Sequence, residues 1–176
     1  MLTEPIETDR LRIRRFARDD WQAVHAYTAD AGVMTYRPEG VMTEEQTRQF
    51  VAEQMGEDAQ SFAVDLLAED RLIGHMDFHP WFGPRTYEIG WCLNPRFHGQ
   101  GYATEAAAAL LRYGFETLRL HRIIATCQPE NVPSWRVMEK LGMRREAHFR
   151  KAHLRDETTW WDEYFYALLA EEWFRA

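Results

Sequence analysis

Residues 93–105 read Leu-Asn-Pro-Arg-Phe-His-Gly-Gln-Gly-Tyr-Ala-Thr-Glu. Gly99 and Gly101, spaced by one residue, let the backbone curl with its N–H groups pointing inward, which forms an anion nest. A helix that starts just after them aims its free amides and positive dipole end at the same spot. That geometry suits a phosphate or pyrophosphate. A nucleotide P-loop would need a Gly-Lys-Ser/Thr ending, and here Tyr102 follows Gly101. The dinucleotide fingerprint would need a third Gly or Ala where Thr104 stands. It would also need an acid about twenty residues on, where His121 and Arg122 sit instead. Taken alone, the loop could equally be a glycine turn that enters a helix without a ligand. A second group is His75, Asp77 and His79, which alternate onto one strand face. Two His and one Asp could bind a metal. A polar strand face or a groove wall explains them with less, and the expectation is that no metal is bound.

Several elements must position these groups. Arg10 to Phe16 alternates polar and apolar, as a strand with one buried face does. Asp19-Asp20 opens a helix to about Ala29. Gly32 to Val41 reads as a loop. Thr43-Glu44-Glu45-Gln46 fits a capping box, so a second helix runs to about Met55. Ser61 to Ala68 and Leu72 to His79 are strands around a turn at Glu69-Asp70. Tyr87 to Leu93 is the next strand, and the three form an antiparallel meander. After the glycine loop, Ala107, Leu110, Leu111, Gly114, Phe115 and Leu118 make one buried helical stripe. Arg122 to Cys127 is a strand. Asn131-Val132-Pro133-Ser134 starts a short helix that stops at Gly142. Phe149 to Leu154 and Trp160 to Leu169 are final strands, and Glu171-Glu172-Trp173 a last helical turn. Helices on a largely antiparallel sheet make a mixed α/β protein, with one domain over residues 8–173.

The 176-residue chain is 45% hydrophobic and 28% charged, ordinary for a globular domain with its own core. A net charge of −7 excludes the basic stripe of a nucleic-acid or anionic-membrane binder and is compatible with cationic substrates such as amines. No apolar run approaches the ~20 residues of a membrane helix. The first residues show no basic n-region or apolar h-region, so no signal peptide is expected. Cys92 and Cys127 make neither a disulfide framework nor a zinc site and read as buried thiols in a reducing cytoplasm.

Arg96-x-x-Gly99-x-Gly101 followed by Tyr-Ala-Thr-Glu-Ala resembles the Arg/Gln-x-x-Gly-x-Gly/Ala motif of the GCN5-related N-acetyltransferases, the GNAT family. Glu88-Ile89-Gly90-Trp91-Cys92-Leu93 is similar to that family's fourth strand. Asn131-x-x-Ser134, with Met138-Glu139-Lys140-Leu141-Gly142-Met143 behind it, resembles its next strand–helix module. The opening Thr8-Asp9-Arg10-Leu11-Arg12-Ile13-Arg14 is similar to the ribosomal-protein alanine acetyltransferase branch. The resemblance implies a mixed sheet of six to seven strands with helices on both faces, splayed between the fourth and fifth strands. It implies that Arg96, His98, Gly99, Gln100, Gly101, Ala103 and Thr104 surround the pyrophosphate of acetyl-CoA. Trp91, Cys92 and Leu93 would offer backbone groups to the pantetheine arm, and Asn131 would touch it from the next module.

Acetyl transfer to an amine needs a group to accept the amine proton, a donor for the tetrahedral oxyanion and an acid for the leaving thiolate. By the resemblance, Glu88 is the expected base, or else only an outward-facing strand acid, with His79 and His153 as alternatives and unaided proximity as another. The amide of Leu93 or Cys92 is the oxyanion candidate. Ser134 is the thiolate acid, or else only a helix-start hydroxyl. Tyr36, Trp81 and Phe82, with Trp160 and Trp161 beside Asp162 and Glu163, could line an acceptor groove, although core packing is the expected job of most of them. The expected function is an acetyl-CoA-dependent N-acetyltransferase that acts on a protein N-terminus or small amine. The other reading is a non-catalytic acyl-CoA-binding or sensing domain. Family analogy allows a homodimer that completes the groove.

Overall fold

The computed structural model describes residue 2 and residues 4–175. Eight strands form one sheet: β1 (Ile6–Glu7), β2 (Leu11–Arg14), β3 (Ser61–Leu66), β4 (Arg71–Pro80), β5 (Thr86–Leu93), β6 (Arg122–Cys127), β7 (Arg144–Leu154) and β8 (Trp160–Leu169). Their order is β1-β2-β3-β4-β5-β6-β8-β7, and every neighbour pair is antiparallel except β5–β6. The eighth strand is β1. Its two residues are too few to show a period, and it forms by pairing Ile6 with Ile13 and Glu7 with Arg12.

Helices cover both faces. On one side lies α4 (Tyr102–Arg112), which continues as a π-helical turn through Thr117. Its Ala106, Ala107, Leu110 and Leu111, with Phe115, pack on Phe62, Val64, Met76, Phe78 and Ile89. Leu118, expected in the buried stripe, is only partly covered at its end. On the other side, α1 (Trp21–Thr28) and α3 (Glu44–Glu53) bring Val24, Tyr27 and Val51 onto Ala63, Leu72 and Cys92. Strand alternation divides the side chains between the two cores. A bulge at Ile73, between the pairs Val64↔Gly74 and Asp65↔Leu72, resets that alternation in β4. Beyond it, His75, Asp77 and His79 share the α1–α3 face.

The capping box at α3 forms as expected: Thr43 Oγ1 accepts the Gln46 N–H, and the Gln46 side chain accepts the Thr43 N–H. The expected loop at 32–41 instead begins with a helical turn, α2 (Ala31–Met34). Asp30 caps it by accepting the N–H groups of Gly32 and Val33. Strand β7 begins at Arg144, five residues before the expected Phe149. Its side chains are nearly all exposed, so no hydrophobic alternation marks it, and backbone pairing to β8 alone defines it. α5 (Val132–Lys140) follows β6, and α6 (Ala170–Trp173) closes the chain.

Candidate active site

β5 and β6 are bonded only through Thr86↔Arg122, Tyr87↔Ile123 and Glu88↔Ile124. Past Glu88 the two parallel strands have no further pairs, so the sheet opens between Ile89–Leu93 on one side and Ala125–Cys127 on the other. This is the expected splay between the fourth and fifth strands, renumbered by the short β1. The register decides which backbone groups face it. Thr86 O accepts the Trp81 N–H, and Asn94 N–H donates to Ile73 O, so even-numbered residues of β5 turn to β4. In an antiparallel pair the alternate residues turn the other way. Ile89, Trp91 and Leu93 therefore present their N–H groups to the gap. Cys92 turns its backbone to β4 and its thiol into the α1–α3 core, where burial pushes it up to about 12. Of the two amides expected for an oxyanion, Leu93 is the one directed at the opening.

The glycine loop closes the open end. A 3-10 turn over Pro95–Phe97 is capped by Asn94, whose side chain accepts the Arg96 N–H. His98 Nε2 lies 2.8 Å from Leu93 O, which only accepts, so that nitrogen carries the proton and fastens the loop to the strand end. Gly99 and Gly101 have φ of +74° and +85°. At Gly99 an added Cβ would meet nothing, so the glycine is required by conformation rather than space. No side chain caps α4, and its first internal bond runs from the Glu105 N–H to Gly101 O. The amides of Tyr102, Ala103 and Thr104 precede that bond and remain available as donors. Arg96, His98 and Gln100 are exposed around them. A loop of this shape fits an anionic group.

Glu88 stands where the strands part. Burial raises its carboxyl above the usual range, offset in part by His79 at 4.0 Å and by a 3.3 Å bond from Thr126 Oγ1. Across the gap, Asn131 is the N-cap residue of α5, and its side chain makes no capping bond. One turn on, Ser134 hydrogen-bonds the Cys127 thiol, itself pushed up to about 12 by burial. Below the opening lies a cleft of about 880 Å³. Glu88, Thr126, Cys127, His79 and Glu163 line it, with Tyr36 and Trp161 in ring contact at 5.4 Å. His153 Nε2 lies 2.7 Å from Glu163 Oε1. The expected groove residues thus divide. Tyr36, Trp161 and Glu163 line the cleft, while Asp162 binds His148 and the Lys151 N–H, away from it. Trp81, Phe82 and Trp160 are exposed, so core packing is not their job.

The histidine–aspartate face of β4 serves other partners. Tyr27 OH meets His75 Nδ1 at 2.7 Å, and burial drops this histidine to about 4. Asp77 is partly buried, yet Arg37 at 2.7 Å, His75 and the Ser61 hydroxyl hold it well below the usual carboxylate range. Among the described residues no cluster has the composition of a metal site. Arg37 and Thr126 have no sequence signal as site residues, and Cys127 reads there only as a buried thiol. Nothing local marks them: Arg37 meets Asp77 forty positions away. Both cysteines are free.

A mixed sheet opened between two parallel strands, with a glycine nest at one strand's end, defines an acyltransferase architecture. The model of the acetyltransferase (GNAT) domain matches residues 10–144, and the chain belongs to that family. It is 57% identical to the uncharacterised N-acetyltransferase YnaD of Bacillus subtilis, over 96% of this chain and 98% of that one. A GNAT-family acetyltransferase structure from Bacillus anthracis superposes with a TM-score of 0.92 at 57% identity, covering 96% and 100% of the two chains. The likeness to the ribosomal protein uS5 alanine N-acetyltransferase of Escherichia coli is distant, 31% over 48% of this chain and 43% of that one. The fold is shared with a Vibrio cholerae spermidine N-acetyltransferase solved with CoA and spermine, at a TM-score of 0.80 and 21% identity over 95% and 99% of the chains. The chain is an N-acetyltransferase. No helix among its described residues is long and apolar enough to cross a membrane.

Proposed function

We propose that this enzyme moves an acetyl group from acetyl-CoA to a primary amine by direct attack, with both substrates bound at once. The observation that carries the reading is the gap past Glu88: one side presents unpaired strand amides and ends in the glycine nest, and the other opens on a carboxylate-lined cleft. In this reading Arg96, His98, Gly99, Gln100, Gly101, Ala103 and Thr104 hold the pyrophosphate. The backbone of Trp91 and Leu93 meets the pantetheine arm, with Asn131 opposite. The Vibrio cholerae neighbour with CoA bound supports that choice of donor. Cys92, expected to offer a backbone group to the arm, instead bonds to β4 and buries its thiol, so it supports the strand from behind.

The amine enters from the cleft side, past Tyr36, Trp161 and Glu163, a pairing of aromatic faces and acid that suits a cation. Glu88, with its raised carboxyl, takes the ammonium proton directly or through a water. The neutral amine attacks the thioester carbonyl, the C–N bond forms, and the Leu93 N–H supports the oxyanion. Collapse breaks the C–S bond; Ser134 donates its proton to the departing thiolate and is reprotonated, directly or through a water, by the proton that the acetylated nitrogen sheds. Two unpaired thiols also suit a reducing cytoplasm. Thiol release from acetyl-CoA, measured over a panel of small amines and peptide N-termini, tests the reading. Turnover restricted to amines is the expected result. CoA binding with no turnover on any amine would leave a binding domain instead.

A further inference from the structure

The start of α4 contains a feature at odds with anion binding. Glu105 lies in the first turn of the helix whose free amides form the nest. A carboxylate at this position competes with a phosphate for the same dipole end and repels it at close range. The structure deals with that charge through the segment that enters β2. Thr8 Oγ1 donates to Glu105 Oε1 at 2.6 Å, and the Arg10 N–H donates to the same oxygen at 3.1 Å. The Arg10 guanidinium takes the other oxygen, with Nε and Nη2 at 2.6 and 2.5 Å from Oε2.

The same guanidinium reaches further. Its Nη1 donates to the carbonyl of Gln100, between the two nest glycines, at 3.1 Å. Its plane lies 4.5 Å from the centroid of the Tyr102 ring, at the first helical residue. An added Cβ on Gly101 would sit 3.5 Å from Nη2. Partial burial would raise the Glu105 carboxyl, but the bonds from Thr8 and Arg10 outweigh it and hold the group below its ordinary value, ionised and fully engaged.

We infer that Arg10 is a positioning residue for the acetyl-CoA pyrophosphate: it neutralises Glu105, turns it away from the nest and pins the Gln100 carbonyl outward, so that the loop's N–H groups converge on the anion. The clasp spans ninety-five positions, from Arg10 to Glu105. It is distinct from Arg96, which stands on the loop itself. The inference rests on the nest being the pyrophosphate site.

The test is calorimetric binding of CoA and of S-acetylpantetheine, which lacks the pyrophosphate, to the wild type and to Arg10→Ala, Arg10→Lys, Glu105→Gln and Arg10→Ala/Glu105→Gln. Arg10→Ala is expected to weaken CoA at least tenfold and leave S-acetylpantetheine unchanged. It should also raise KM for acetyl-CoA, with kcat at saturation within about twofold. Arg10→Lys keeps the charge and recovers part of the loss. The double variant returns to within about threefold of the wild type, because the uncompensated carboxylate is gone. Glu105→Gln alone binds CoA at least as tightly as the wild type, a result that stands even if Arg10→Ala melts early. A merely structural clasp would weaken CoA in both Glu105 variants. That outcome, or wild-type CoA affinity in Arg10→Ala, overturns the inference. A wild type that binds S-acetylpantetheine as tightly as CoA would instead refute the nest as the pyrophosphate site, and the clasp's role with it.

Discussion

Glu88→Gln separates catalysis from structure at one atom. The substitution keeps the shape and an acceptor for the Thr126 hydroxyl, whose 3.3 Å bond is too long to be a main support of the fold. It removes only the ionisable oxygen. Loss of a positioned general base slows a reaction about 10²–10⁴-fold, or about 3–5 kcal/mol of barrier. The carboxylate lines an open cleft of about 880 Å³ with room for a water to carry the proton in its place, so the lower end, about 10²-fold, is expected. The pH dependence has a definite sign. Burial raises the Glu88 carboxyl, and the base acts only when ionised. The kcat/KM of the wild type therefore climbs with pH through a limb above the usual carboxylate value of about 4.5. The variant should lose that limb. Stability runs the opposite way. A carboxyl whose folded value is raised destabilises the native state once ionised, and that penalty is relieved as pH falls through the folded value. The neutral amide escapes it, so the Tm of Glu88→Gln at neutral pH should be no lower than that of the wild type. Thiol release on the best amine acceptor across acid to neutral pH, with thermal melts alongside, reads both. Wild-type kcat/KM in the variant, or an acid limb that stays in place, would refute Glu88 as the base.

Three further outcomes follow from the same geometry. Arg96→Glu places a negative charge beside the nest and should weaken CoA more than tenfold by calorimetry; unchanged affinity would remove the phosphate assignment. Ser134→Ala should lower kcat while CoA affinity holds, since the hydroxyl acts on the leaving thiolate; normal turnover would leave it as the partner of Cys127. Asp77→Asn removes one of the two carboxylates that face Arg37 on the cleft wall and leaves Glu39 at 3.3 Å. Breaking a fully buried pair costs about 3–5 kcal/mol and an exposed one about 0–1 kcal/mol; with these side chains 15–23% exposed and Glu39 still in place, about 2 kcal/mol is expected. Because Asp77 is held below its ordinary value, its contribution is present at neutral pH and lost as pH falls through the folded value. The Tm difference between wild type and variant should shrink in acid, and a constant difference would argue against the pair.

Much of the frame is written in local signals. The glycines at 99 and 101, the stripe from Ala107 to Phe115 and the Thr43 capping box each depend on residues within a few positions, so spacing alone announces them. β8 was legible to the residue because its apolar run is bounded by a polar turn and a helical start. β1 and the first five residues of β7 were not, because two residues carry no period and an exposed edge strand buries no face. The loop's spacing points to an anion, and the family resemblance carried by Glu88, Asn131 and Ser134 points to coenzyme A. The sequence did not indicate that Cys92 points away from the gap while Leu93 points into it. That follows from the β4–β5 register, a fact about two chains side by side. The Arg37–Asp77 pair and the Arg10–Glu105 clasp likewise join residues far apart in the chain. Periodicity and turn chemistry act over a few bonds, so they determine the elements and the nest. Which amide faces the reacting carbonyl, and which charge faces which, depends on strand pairing and packing, and only the folded sheet decides it.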